Sequence, residues 1–215
     1  MLNTRSKYCL TAALSLSVMS FSSLATPVIC GPGPHWIDDC PAGVAVTPAA
    51  MKVQVRIPCD NLTTPTLVLR GAVKIKREAG TPGVPAAPGE PGDATHFIAT
   101  NTLSLRLTGR GIRLRTGTKQ GITPPALGEI HELPSDPNWA WWYADYYYEV
   151  DIPRLGTLHA NDVCRMQGFI DQIPPPHLTK PQPWEYPCTN MEDFILPLYD
   201  DYEVEVGCLV TGGLD

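Results

Sequence analysis

Apolar and polar residues alternate with period two along much of this chain. Met51, Val53, Val55 and Ile57 are interleaved with Lys52, Gln54 and Arg56, the pattern of a strand with one face on a core. Comparable runs cover 67–76, 96–107, 112–115, 146–152, 164–173 and 203–210. Gly71, inside the second run, predicts a bulge or bend. No stretch of ten residues shows helical periodicity. Asp136-Pro137-Asn138 supplies an N-cap with proline at the first helical position, which predicts at most one short helix over 137–144. Seven to eight strands divided by turn signals predict an all-β fold, an antiparallel β-sandwich of immunoglobulin-like or jelly-roll-like kind.

One hairpin is predicted in register. With Thr108-Gly109-Arg110-Gly111 as a four-residue loop, Leu107 meets Ile112, Arg106 meets Arg113 and Leu105 meets Leu114. Every apolar side chain then falls on one face. Residues 80–92 repeat proline every third position and read as a mobile polyproline-II loop between strands.

Residues 1–25 read as a cleavable signal peptide. Arg5 and Lys7 precede a serine-diluted apolar stretch, and Ser23-Leu24-Ala25 offers small residues for cleavage. The stretch is too short and too polar for a membrane span, which needs about 20 mostly apolar residues. A secreted or periplasmic protein is expected. Its 26–50 segment is rich in proline and glycine, and 51–215 form one β domain.

Cleavage removes Cys9 and leaves six cysteines: Cys30, Cys40, Cys59, Cys164, Cys188 and Cys208. An even number in an exported chain predicts disulfides. Cys30–Cys40 is the pairing expected, because a tight Pro/Gly loop separates the two; the remaining connectivity stays open. Short metal-ligand spacings are missing, and no metal or cofactor is expected.

The net charge of −6 becomes −8 without Arg5 and Lys7, which argues against nucleic acid as partner. Charge is unevenly spread. Residues 52–119 hold 11 basic and 4 acidic groups, residues 129–215 hold 3 and 16. One reading is an anion-binding face of Arg106, Arg113 and Arg115. The other is that strands of the two halves are neighbours whose charges neutralise each other.

The aromatic run at 139–148 is the most unusual stretch. Trp139, Trp141, Trp142 and Tyr143 could stack on sugar rings, with Asp145 accepting hydroxyl hydrogen bonds; packing in the core is the other use of such residues. Enzyme signatures are sparse. Ser104 and Ser135 lie outside any Gly-x-Ser-x-Gly elbow, and the five histidines are scattered. A carboxylate pair for glycan hydrolysis would form in space and leave no local signature. The expectation is an exported, non-catalytic β-sandwich serving as a structural, surface or interaction module, its partner a glycan or a cell-surface protein. The alternative is a carbohydrate-binding module using the aromatics; a glycan hydrolase comes third.

Cys30-Gly-Pro-Gly-Pro-His-Trp-Ile-Asp-Asp-Cys-Pro-Ala-Gly43 resembles the mature N-terminus of a family of uncharacterised secreted bacterial proteins of cyanobacterial type. Leu103-Ser-Leu-Arg-Leu-Thr-Gly109, Gly111-Ile-Arg-Leu-Arg-Thr-Gly117, Pro124-Pro-Ala-Leu-Gly-Glu-Ile130 and Tyr148-Glu-Val-Asp-Ile-Pro153 are similar in the same order. The resemblance implies export. It assigns no activity and no role to any residue.

Overall fold

The structure, a computed structural model, describes residues 29–31, 33, 36–81, 96–133, 136, 138–173, 188–190 and 194–211. The 1–25 leader and most of the 80–92 loop lie outside the described residues. Among the described residues eleven antiparallel strands make up the fold: β1 (Gly43–Arg56), β2 (Leu67–Arg77), β3 (Phe97–Gly109), β4 (Ile112–Thr116), β5 (Ala126–Glu132), β6 (Ala140–Tyr146), β7 (Glu149–Ile152), β8 (Gly156–His159), β9 (Cys164–Ile170), β10 (Ile195–Tyr199) and β11 (Glu205–Val210). Among the described residues the helical element is a single 3-10 turn at Thr118–Gln120.

The all-β antiparallel class read from the alternation holds, with more strands than the seven or eight expected. The additional strands carry weak signals: β5 contains Gly128, β8 has four residues, and β10 contains Pro197. The short helix expected over 137–144 is not formed. Residues 140–146 instead pair on both sides, from Glu132↔Ala140 to Gly128↔Ala144 with β5 and from Ala140↔Ile170 to Tyr146↔Cys164 with β9. Large aromatics occupy both faces of this strand, so its alternation is invisible to hydrophobicity.

The hairpin register also differs. Leu107 faces Leu114 and Arg106 faces Arg115, and the loop is the dipeptide Arg110-Gly111 with φ of 48° and 83°. Two central residues at positive φ suit the twist of a tight hairpin. The shift is by two residues, so each side chain keeps its face. Gly71 forms no bulge; it sits in register between Ala49 and Leu107, and the irregularity falls at Lys74/Ile75. A β-carbon at Gly71 would run into the backbone carbonyl of Arg106, so glycine there permits close approach of β3.

The strand order β2-β1-β11-β10-β8-β7-β4-β3 closes on itself through the β2–β3 pairing. The β10–β8 link is thin, resting on Tyr199↔His159. β3 is long enough to serve two neighbours on one side: Leu105–Gly109 pair with β4, and 97–102 pair with β5. From β5 a second wall continues through β6 to β9. The main core lies between the walls and contains Val53, Leu69, Leu107, Leu114, Tyr148, Leu158, Leu196 and Leu209. A second cluster joins Cys30, Trp36, Ile37 and Cys40 to Ile98, Ile130, Ala140, Ile170 and Ile173. The segment before β1 is thus a plug, fixed by paired backbone hydrogen bonds between Cys30 and Ile173 (2.9 and 2.8 Å).

Three disulfides hold the chain: Cys30–Cys40, Cys59–Cys208 and Cys164–Cys188. The first is the pairing read from the loop. The second ties the end of β1 to β11 across 149 residues. The third brings 188–190 against the outer side of β9, where the Thr189 N–H donates to the Arg165 carbonyl (2.8 Å) and the Asn190 amide to the Val163 carbonyl (2.7 Å).

Candidate functional site

A cavity of about 110 Å³ lies between the two walls. Its origin is a local run of small inward-facing residues. Along β1 the inward positions are Met51, Val53 and Val55 at one end but Ala45, Thr47 and Ala49 at the other, and Ala144 faces in from β6. Larger side chains there would have closed the space. Most of the remaining lining is apolar and comes from both walls, including Val73, Ile75, Leu105, Leu107, Ile130, Trp142, Met166 and Ile170.

Polar groups in the lining are few. Thr47, Thr100 and Thr102 contribute hydroxyls, and Tyr146 and Tyr148 contribute phenols. The Tyr148 hydroxyl donates to the Met166 sulfur at 3.3 Å. Burial pushes the Tyr148 phenol well above its ordinary range, helped by neighbouring Tyr146, whose own phenol is raised by burial. Arg77, the last residue of β2, also points inward and is buried. Its Nε–H donates to the Pro41 carbonyl at 2.9 Å. Loss of hydration lowers its pKa from the usual arginine value.

The outer face of the second wall carries a different arrangement. Phe97 stacks on His131 (5.7 Å between centroids), and His131 contacts Trp141 (5.7 Å) and Tyr143 (6.4 Å). Phe169 on β9 is opposite Trp141 and 61% exposed. Polar groups flank this row. Arg165 makes a two-pronged ion pair with Asp145 (2.7 and 2.6 Å) and lies 4.5 Å from the centre of the Tyr143 ring. Glu129 bonds His131 at 2.8 Å. Partial burial, a hydrogen bond with Glu129 and its charge raise the Tyr143 phenol.

The five residues singled out in the aromatic run do not form one site. Trp139 is exposed just before β6, where its backbone N–H donates to the Asp136 carbonyl. Trp141, Tyr143 and Asp145 lie on the outer face, and Trp142 lines the cavity. Strand alternation separates them. Residues not anticipated are Arg77 and the small residues of β1, together with Phe97, His131 and Phe169. Arg77 was within reach, since Leu67, Leu69, Val73 and Ile75 share its parity and extending that run by one residue puts it inside.

No family model and no curated protein matches this chain. Among solved structures it is similar to DynF from the dynemicin biosynthesis pathway of Micromonospora chersina. Identity is 14%, the match covers 86% of this chain and 83% of that one, and the TM-score is 0.51. The likeness is one of fold.

The arginines of the predicted anion-binding face meet carboxylates of β7. Arg115 pairs with Glu149 (2.8 Å) and Asp151 (3.3 Å), and Arg113 with Asp151 (3.3 Å). Arg106 is exposed beside Arg115. Glu149 and Asp151 converge on Arg115, and neither lines the cavity. Among the described residues no group of three or more His, Cys, Asp or Glu side chains is placed to hold a metal. Among the described residues no helix is long and apolar enough to cross a membrane.

Proposed function

We propose that this protein is an exported, non-catalytic binding protein that takes a small apolar ligand into the cavity between its walls. The cavity itself is the supporting observation: a space of about 110 Å³ between the walls, lined from both sides mainly by apolar groups. Apolar cavities of about 150 Å³ stay dry and take up benzene, so a benzene-sized ring or a short branched chain suits this one. Three disulfides favour an oxidising compartment and so support export. Titration of the disulfide-bonded protein with benzamide and small alkylbenzenes tests the reading. Trp142 indole resonances should shift, and thermal stability should rise with ligand concentration. No shift and no stabilisation by any of these probes would refute it.

A second reading is favoured by the outer aromatic row. Phe97, His131, Trp141 and Phe169, flanked by Glu129 on His131 and by the Asp145–Arg165 ion pair, suit a neutral glycan whose sugar faces stack on rings and whose hydroxyls meet fixed polar groups. A glycan array on the intact protein and on Trp141→Ala tests it. Silence with the intact protein would sink it.

A further inference from the structure

We infer that the outer face of β2, β3 and β4 binds an acidic polysaccharide, whose carboxylates or sulfate esters are held by Arg106 and Lys74. The inference is independent of the cavity and of the aromatic row. Val73, Leu105, Leu107 and Leu114 point into the core, so Ala72, Lys74, Arg106 and Arg115 beside them face outward. Arg106 stands between Ala72 on β2 and Arg115 on β4, and Lys74 is opposite Ser104 on β3. Diagonal neighbours in a sheet lie about 7–8 Å apart. Lys74, Arg106 and Arg115 therefore form a row of cations across three strands.

Only one end of the row is neutralised. Glu149 and Asp151 hold Arg115 and Arg113, and Glu78 holds Lys76 at 2.6 Å. On the other side β1 places uncharged Pro48 opposite Ala72 and Val46 opposite Lys74. Among the described residues neither Arg106 nor Lys74 meets a carboxylate. Arg106 instead faces Arg115 directly, and like charges so placed destabilise a sheet. An anion laid over the short, exposed side chain of Ala72 would reach both free cations and relieve that repulsion. Ser104 and Thr108 flank Arg106 on the same face, so hydroxyls alternate with charge, as sugar acids require of a partner. A lipid surface calls for Trp, Phe or Leu anchors. The exposed apolar residues alongside, Val44, Val46 and Val68, are too short for that.

Calorimetric titration of the disulfide-bonded protein with polygalacturonate and with heparin tests the inference. At least one of these polyanions should bind at low salt. Raising sodium chloride from about 0.05 M to about 0.5 M should weaken that binding at least tenfold, since the pairs are exposed and screened. Replacing both cations, Arg106→Gln with Lys74→Gln, should lower affinity about tenfold. Arg106→Lys should keep most of it, and Trp141→Ala should leave it within about twofold. Arg106→Gln alone should bind more weakly yet unfold at an equal or higher denaturant concentration, because the repulsion with Arg115 goes with the charge. No binding of either polyanion at low salt would overturn the inference, and so would undiminished affinity in the double variant. Loss of binding in Trp141→Ala would move the site to the aromatic row and overturn it too. Tighter binding to vesicles of anionic phospholipid than to either polysaccharide would replace the partner with a membrane.

Discussion

Trp141 and Trp142 are neighbours in the chain and stand on opposite sides of one wall. Trp141 packs against His131 and Tyr143 outside, and Trp142 lines the cavity inside. The relationship separates the two binding surfaces experimentally. Trp141→Ala should abolish any neutral-glycan binding and leave affinity for cavity ligands within about twofold, because the sites share no side chain. Trp142→Ala should do the reverse. The removed indole would also cost about 3 kcal/mol or more of stability, read from denaturant midpoints.

The small residues of β1 are expected to trade stability against binding. Ala49→Leu should fill part of the cavity and raise stability by about 1 kcal/mol, as cavity-filling substitutions commonly do. The same change should lower affinity for benzamide more than tenfold, an order-of-magnitude expectation from lost space. Calorimetry and thermal melts on one preparation would read both. A stabilised variant with undiminished affinity would place the ligand elsewhere.

Tyr143, Tyr146 and Tyr148 all have phenols raised above the ordinary value of 10.0. For Tyr146 and Tyr148 burial is the main cause, and the folded state holds the neutral form. Their contribution to stability is therefore complete below the unfolded-state pKa and is lost as pH climbs past it toward the folded values. Phenolate absorbance should rise in two phases: exposed tyrosines first, then the buried pair together with alkaline unfolding. Tyr148→Phe keeps the ring and removes the buried hydroxyl, so it should shift the second phase to higher pH.

The Cys59–Cys208 bridge closes a loop of 149 residues and the Cys30–Cys40 bridge one of 10. In the chain-entropy account the first contributes up to ~5 kcal/mol and the second nearer ~3 kcal/mol. Paired Cys→Ala replacement should follow that order in denaturant midpoint. The smaller effect, at Cys30–Cys40, should come with loss of ligand affinity, because that loop plugs the end of the core beside Ile130 and Ile170.

Much of the fold was legible because a half-buried strand writes its orientation into sequence. Met51, Val53 and Val55 announced β1, and the Cys30–Cys40 loop announced its own bridge. β6 is hidden in the sequence because tryptophan and tyrosine occupy both its faces, one packed on a cavity and one on an aromatic row, which erases the alternation. The helix signal at Asp136-Pro137 then had no competitor, although pairing with two neighbours outweighs a local cap. The hairpin register slipped by two because parity alone cannot distinguish a two-residue from a four-residue loop. The cavity was harder still. Ala45, Thr47 and Ala49 look like a weak strand, and only the opposing wall turns their smallness into a volume. Arg77 reads as one more cation among several until its parity with Ile75 is noticed.

Among the described residues, closure of β2 onto β3 leaves β9 at the end of the strand order, and Cys164–Cys188 holds residues 188–190 over its outer side. Many proteins protect such a border with lysine, proline or a bulge. This chain uses a covalent strap. Its reduction would free the backbone groups of Val163 and Arg165 to template a strand from another copy. Reduction of this one bridge is therefore expected to promote self-association, read by light scattering on the reduced and the disulfide-bonded protein.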